Sequence, residues 1–271
     1  MKQDKFICFI HIEKCAGTSL NRMLHNNYSG FFNISSRDKI CWNGAFTAEQ
    51  FKFFKTIFPF ISGMGGHSLF TTAGYEKHVD LPISYFTFLR NPIKRYISHI
   101  NYQIHEMKIP WTIEQFLDDP QFTNFQTKRI AGTENIELAQ NILREKYDFV
   151  GLVEKFDLSL LILKECLGLD DMNIHYEKAN VAKAQSRLRF DDLPPEIKDR
   201  VTEANAMDLK LYDFALNEIF NKYEPEKYAE ELLKFQEENQ TFKFNKWKQF
   251  QRKLKNQLTI KVVQPISMYF T

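Results

Sequence analysis

Phe6-Ile-Cys-Phe-Ile-His-Ile-Glu-Lys-Cys-Ala-Gly-Thr-Ser-Leu20 is the stretch from which the fold can be read. Its apolar run from residue 6 to residue 12 reads as a strand covered on both faces, as in a parallel sheet. A tight turn follows, and from Thr18 to His25 the apolar residues Leu20, Met23 and Leu24 recur at helical spacing. A strand that feeds a helix through such a turn builds an anion site. The first helical N–H groups lack intrahelical partners and carry partial positive charge. Lys14 adds a full charge, Thr18 and Ser19 add hydroxyl donors, and Ala16 and Gly17 add backbone amides. A phosphate-bearing ligand is expected here.

The rest of the chain repeats the alternation. Ser84 to Arg90 is a second strand, stopped by Asn91-Pro92, a good helix cap followed by a residue suited to the first helical position. The helix it opens carries Ile93, Tyr96, Ile97, Ile100 and Ile104 on one face. Thr47 to Gln50 has the pattern of a capping box, and Ile61 to Phe70 is a glycine-rich strand-to-loop segment. Phe149 to Val153 is a third strand, followed by a helix over 156–167. Further helices are expected over 113–117, 135–147, 195–204 and 208–221. Residues 26–47 show no clear period and residues 175–195 read as a polar loop. Strands alternating with helices predict an α/β sandwich with a mostly parallel sheet. The expected division is a domain over 1–222 and a helical, basic extension over 223–271.

Composition narrows the function classes. The net charge is only +2, yet seven basic and no acidic residues follow Glu238, so the body is mildly acidic and the tail basic. A nucleic-acid-binding domain would instead carry a basic stripe across its fold. The tail, with Trp247, Phe250 and Leu254 among its lysines, reads as a solvated terminal helix, with contact to an anionic membrane surface as the alternative. Cys8, Cys15, Cys41 and Cys166 show no zinc spacing and read as reduced thiols. No signal peptide and no apolar run of about 20 residues is recognised, which sets the expectation of a cytoplasmic protein. The sequence gives no oligomeric state.

The turn at Lys14 departs from a standard P-loop, in which a glycine, four residues and a second glycine precede Lys and Ser or Thr. Its lysine comes three residues before its one glycine, and no Lys-Ser/Thr pair supplies a magnesium ligand. The phosphate chemistry is therefore expected to be metal-independent, with lysine charge in place of the cation. Arg90, at a strand end where ligands bind in open α/β sheets, can chelate a second phosphate. Ser98 lies on the helix that follows it. Read alone, that pair is better taken as a surface ion-pair partner and a solvated helix serine.

Together, the Phe9–Leu20 and Phe86–His99 segments resemble the 5′-phosphosulfate loop and the 3′-phosphate motif of the carbohydrate sulfotransferases of the Golgi and their bacterial relatives. Softer likenesses continue through residues 124–132, 149–156 and 211–215. The resemblance implies a P-loop-like three-layer sandwich. It also implies transfer of a sulfonyl group from 3′-phosphoadenylyl sulfate (PAPS) to a carbohydrate hydroxyl, with release of 3′,5′-ADP and no metal. Lys14 would stabilise the leaving oxygen. Lys14, Ala16, Gly17, Thr18 and Ser19 would hold the phosphosulfate, and Arg90 and Ser98 the 3′-phosphate. His67 follows paired glycines that permit close approach of a ligand, and is the expected base; Glu13 is the reserve. His11 reads as a core or strand-end histidine. Gln126 and Arg129 are placed in the same cleft, and the basic loop from Lys178 to Arg189 either closes over the nucleotide, reads an anionic acceptor, or is solvated. Glu13, where the family has Pro, and Cys15, where it has Thr, are departures: one sets a carboxylate beside an anion site, the other removes a hydroxyl. A P-loop-type kinase and a non-catalytic module for anionic glycans are the alternatives.

Overall fold

The structure is a computed structural model and describes residues 4–34, 45–177, 187–258 and 261. The chain runs β1 (Phe6–Ile10), α1 (Gly17–Asn27), β2 (Phe31–Ile34), α2 (Ala48–Ile57), β3 (Gly63–Gly66) and β4 (Ile83–Leu89). Helices α3 (Pro92–His105), α4 (Ile113–Asp118), α5 (Phe125–Ala131) and α6 (Ile136–Lys146) lead to β5 (Phe149–Leu152) and α7 (Phe156–Cys166). After the polar segment come α8 (Pro195–Ala204), α9 (Ala206–Phe214), α10 (Ala229–Thr241) and α11 (Lys246–Leu258).

The strands form one sheet in the order β2-β3-β1-β4-β5, and every pairing in it is parallel. Burial on both faces is what makes these strands read as unbroken apolar runs: all five residues of β1 are buried. Phe9 and Phe86 stack across β1 and β4 with ring centroids 5.0 Å apart. From β1 the chain turns to the β3 side of the sheet, and from β4 to the β5 side. The crevice at the carboxyl ends of β1 and β4 is thus the topological switch point, where ligands bind in such sheets. Ile10 lies opposite both Gly66 and Thr87, so residues 11–16, 67 and 90 emerge along the same edge.

Local signals fixed several boundaries. The Thr47 side chain accepts from the Gln50 N–H and the Gln50 side chain from the Thr47 N–H, a complete capping box. Asn91 caps α3 by accepting from the Lys94 N–H, with Pro92 behind it. The apolar face of α3 packs with α4 and α8 in a second small core around Tyr96, Ile100, Phe116 and Val201.

Three expectations change. Residues 26–47 include a strand, β2, whose four residues are too few to show a period; residues 35–44 lie outside the described residues. The helix expected over 208–221 ends at Phe214. A π turn over Ala215–Ile219 and a 3-10 turn over Phe220–Tyr223 follow, burying Phe220 and setting the Tyr223 hydroxyl to accept from the Val150 N–H of edge strand β5. The glycines before His67 make room for protein rather than ligand. A Cβ on Gly66 would lie 1.7 Å from the Ile34 carbonyl oxygen, and one on Gly65 would lie 2.8 Å from the Phe31 ring. They admit β2 to the sheet. Toward the C-terminus, Tyr228 and Phe235 are buried in the main core, α10 packs on α7, and α11 lies against α1.

Candidate active site

The turn after β1 is shaped by two residues in the left-handed region, Lys14 (φ 68°) and Ala16 (φ 60°). Neither is glycine, so each costs on the order of 1 kcal/mol, a strain that tends to persist at functional sites. Left-handed residues set among others are also the backbone pattern of anion-binding nests. Ala16 caps α1 with no side-chain hydrogen bond, which leaves the helix start to a ligand or solvent. Thr18 is exposed and Ser19 half-buried in this first turn. Gly17 is forced by packing: a Cβ there would lie 1.6 Å from His11 Nε2.

Arg90 leaves the end of β4 and donates from Nη1 to the Lys14 carbonyl, 3.0 Å away, so the two sequence motifs meet across the switch-point crevice. The Lys14 ammonium sits 4.4 Å from the centre of the Tyr102 ring on α3. Burial lowers the Lys14 pKa, and the nearby Arg90 and Arg187 lower it further. A ligand anion relieves this crowding of positive charge. Beside the turn a cleft of about 570 Å³ is lined by Arg90, Lys94, Ser98, Asn101, Arg187 and Arg189 among others. Ser98 and Arg90 therefore share one cavity with the two described arginines of the basic loop. Lys178 and Lys183 lie outside the described residues.

On the other side of β1, His67 follows β3. Its Nδ1 is 3.1 Å from the His11 carbonyl oxygen and 3.2 Å from Glu13 Oε1, and its ring lies over His11, tilted by 31° with centroids 3.9 Å apart. With Nδ1–H donated to these oxygens, Nε2 is left as the proton acceptor. Glu13, which the sequence left unexplained, thus turns away from the phosphate turn and toward the histidine. Cys15 is buried, which pushes its thiol up to about 12, and its Sγ lies 3.6 Å from Gln126 Oε1.

Gln126 and Arg129, which the sequence set in the cleft, are both buried: Gln126 lies under Arg90, and Arg129 lies on the His67 side of β1. Gln126 is fully buried, accepts from the Arg90 N–H and donates to the Arg90 carbonyl, both at 2.9 Å. Arg129 donates to the Leu69 carbonyl and covers the Phe70 ring. The sequence also missed Asp208. From α9 it caps α5, accepting from the Gln126 N–H, the Thr127 N–H and the Thr127 hydroxyl at 2.9, 2.7 and 2.8 Å. Nothing local in the sequence joins these residues, which are 82 positions apart. Below the site, Arg95 is fully buried and pairs with His99 Nδ1 at 3.1 Å.

Two of these histidines make stability depend on pH. Burial, then the neighbouring positive groups, holds His11 well below the usual histidine range and His99 at about 3. The folded protein keeps both neutral, while the unfolded chain protonates them below about pH 6.5. The unfolded state therefore binds more protons, and stability falls on acidification by up to about 1.4 kcal/mol per pH unit for each histidine. Urea midpoints should drop between pH 7.5 and 5, and His99→Gln should remove roughly half of that slope.

The model of the sulfotransferase family matches residues 1–215. Galactose-3-O-sulfotransferase 3 of Homo sapiens is 26% identical over 239 residues, covering 76% of this chain and 54% of that protein. The Mus musculus protein of the same name matches to the same extent. The chain spans about half the length of these curated relatives. A sulfotransferase structure from Alicyclobacillus acidocaldarius is similar with a TM-score of 0.46 at 13% identity, covering 78% of this chain and 95% of that one. Because one family model accounts for well over half of its length, the chain belongs to the sulfotransferase family.

Proposed function

We propose that this protein transfers a sulfonyl group from PAPS to a carbohydrate hydroxyl. The observation that carries the reading is the meeting of the Lys14 turn with Arg90 across the β1–β4 crevice, beside a cleft lined by Ser98, Arg187 and Arg189. The residues fit the co-substrate. The uncapped start of α1, with Lys14, Ala16, Gly17, Thr18 and Ser19, suits the 5′-phosphosulfate. Arg90 and Ser98 suit the 3′-phosphate, Arg90 being held through its backbone by Gln126.

In this reading the acceptor oxygen attacks sulfur in line, and the bond from sulfur to the bridging phosphate oxygen breaks. Negative charge grows on that oxygen, and the Lys14 ammonium stabilises it. The acceptor proton passes to His67 Nε2. Glu13 holds the ring through Nδ1 and stabilises the imidazolium that forms, as the carboxylate of a catalytic triad does. Galactose-terminated glycans are the first acceptors to offer, since the relatives' names specify galactose. Incubation with sulfur-labelled PAPS should move label to such a glycan and release 3′,5′-ADP in equal amount. Absence of label across a panel of neutral and anionic glycans would count against the carbohydrate reading.

A further inference from the structure

We propose that α11 docks the protein on an anionic lipid bilayer surface. The helix is 13 residues long, too short to span a bilayer, and its basic amphipathic sequence is of the kind that lies in the headgroup plane. Trp247, Phe250, Leu254 and Leu258 recur at spacings of three and four and form one stripe. They are 64%, 49%, 45% and 59% exposed, and Trp247 stacks on Phe250 with centroids 5.7 Å apart.

The face turned toward α1 is the polar one. Gln249 and Arg252 are half-buried there, and Arg252 lies near Arg22 of α1, a like charge. Its Nη1 is buried with no hydrogen-bond partner among the described residues. A surface helix of a water-soluble domain normally does the reverse, burying its apolar stripe and wetting its charges. Four large apolar side chains in a row are unfavourable in water and favourable at the boundary between headgroups and acyl chains, where tryptophan concentrates.

Charge selects the lipid. Lys243, Lys246 and Lys253 are exposed, and the chain after Glu238 contains seven basic residues and no acidic one. An anionic surface attracts such a segment, and a zwitterionic one does not.

The test is co-sedimentation of the full chain with phosphatidylserine–phosphatidylcholine vesicles and with phosphatidylcholine vesicles, together with its oligomeric state by light scattering. Partition onto the anionic vesicles should be about tenfold stronger or more, and should weaken as salt is raised. Combined Trp247→Ser, Phe250→Ser and Leu254→Ser should lower it by about tenfold or more at an unchanged melting temperature, since these side chains lie outside the core. Combined Lys243→Glu, Lys246→Glu and Lys253→Glu should abolish the preference for anionic lipid. Equal sedimentation with both vesicle types, or an unaltered serine variant, overturns the proposal. So does a wild-type dimer that the serine substitutions dissociate without changing lipid binding, because the stripe is then a contact between two copies.

Discussion

Lys14→Ala is expected to lower kcat by about 10²–10³-fold, the effect of removing one preorganised charge from a developing oxyanion. The loss should appear in kcat and in kcat/KM alike, because the interaction strengthens only as the bridging oxygen gains charge. The folded state should survive, since alanine at position 14 meets the same left-handed backbone that lysine already tolerates (φ 68°). Two contacts define what is lost. The ammonium rests over the Tyr102 ring, and its residue's carbonyl is the anchor for Arg90. The backbone anchor remains in the variant, so 3′,5′-ADP affinity should fall far less than turnover. Steady-state kinetics and a binding titration on the same preparation check both halves. A variant that loses affinity and keeps kcat would assign Lys14 to ground-state binding.

His67→Ala is expected to cost about 10²–10⁴-fold in kcat, the range for removal of a general base. Added imidazole should restore part of the rate, and affinity for 3′,5′-ADP should stay within about twofold because His67 lies on the β3 side of β1, away from the Arg90 cleft. Glu13→Gln should give a smaller loss of about tenfold or more, since the amide can still accept from Nδ1–H yet cannot stabilise the imidazolium electrostatically. Full activity in His67→Ala would move the base elsewhere.

Much of the fold was legible because its signals are local. The apolar run of β1, the capping box at Thr47, the Asn91-Pro92 helix start and the period of α3 each lie within a few residues of sequence. The two motif strands, β1 and β4, turned out to be neighbours, which brings Lys14 and Arg90 together. What the sequence hid is long-range. β2 is four residues long and is held by β3 glycines about 30 positions away. Glu13 made sense only once His67 was seen 3.2 Å from its carboxylate. Cys15 made sense only once Gln126 was seen against its thiol. Asp208 supports the site through a cap on α5, two steps from any ligand. Side chains that position other side chains leave no periodic trace.

The proposed function requires that the crevice between β1 and β4 recognise a nucleotide carrying both a 5′- and a 3′-phosphate. Calorimetric titration of the protein with 3′,5′-ADP and with 5′-ADP tests it most directly. 3′,5′-ADP should bind at least about tenfold more tightly, the scale of one bidentate charge-assisted contact, and Arg90→Ala should remove that difference. Equal affinities for the two nucleotides, or a preference that persists in Arg90→Ala, would contradict it.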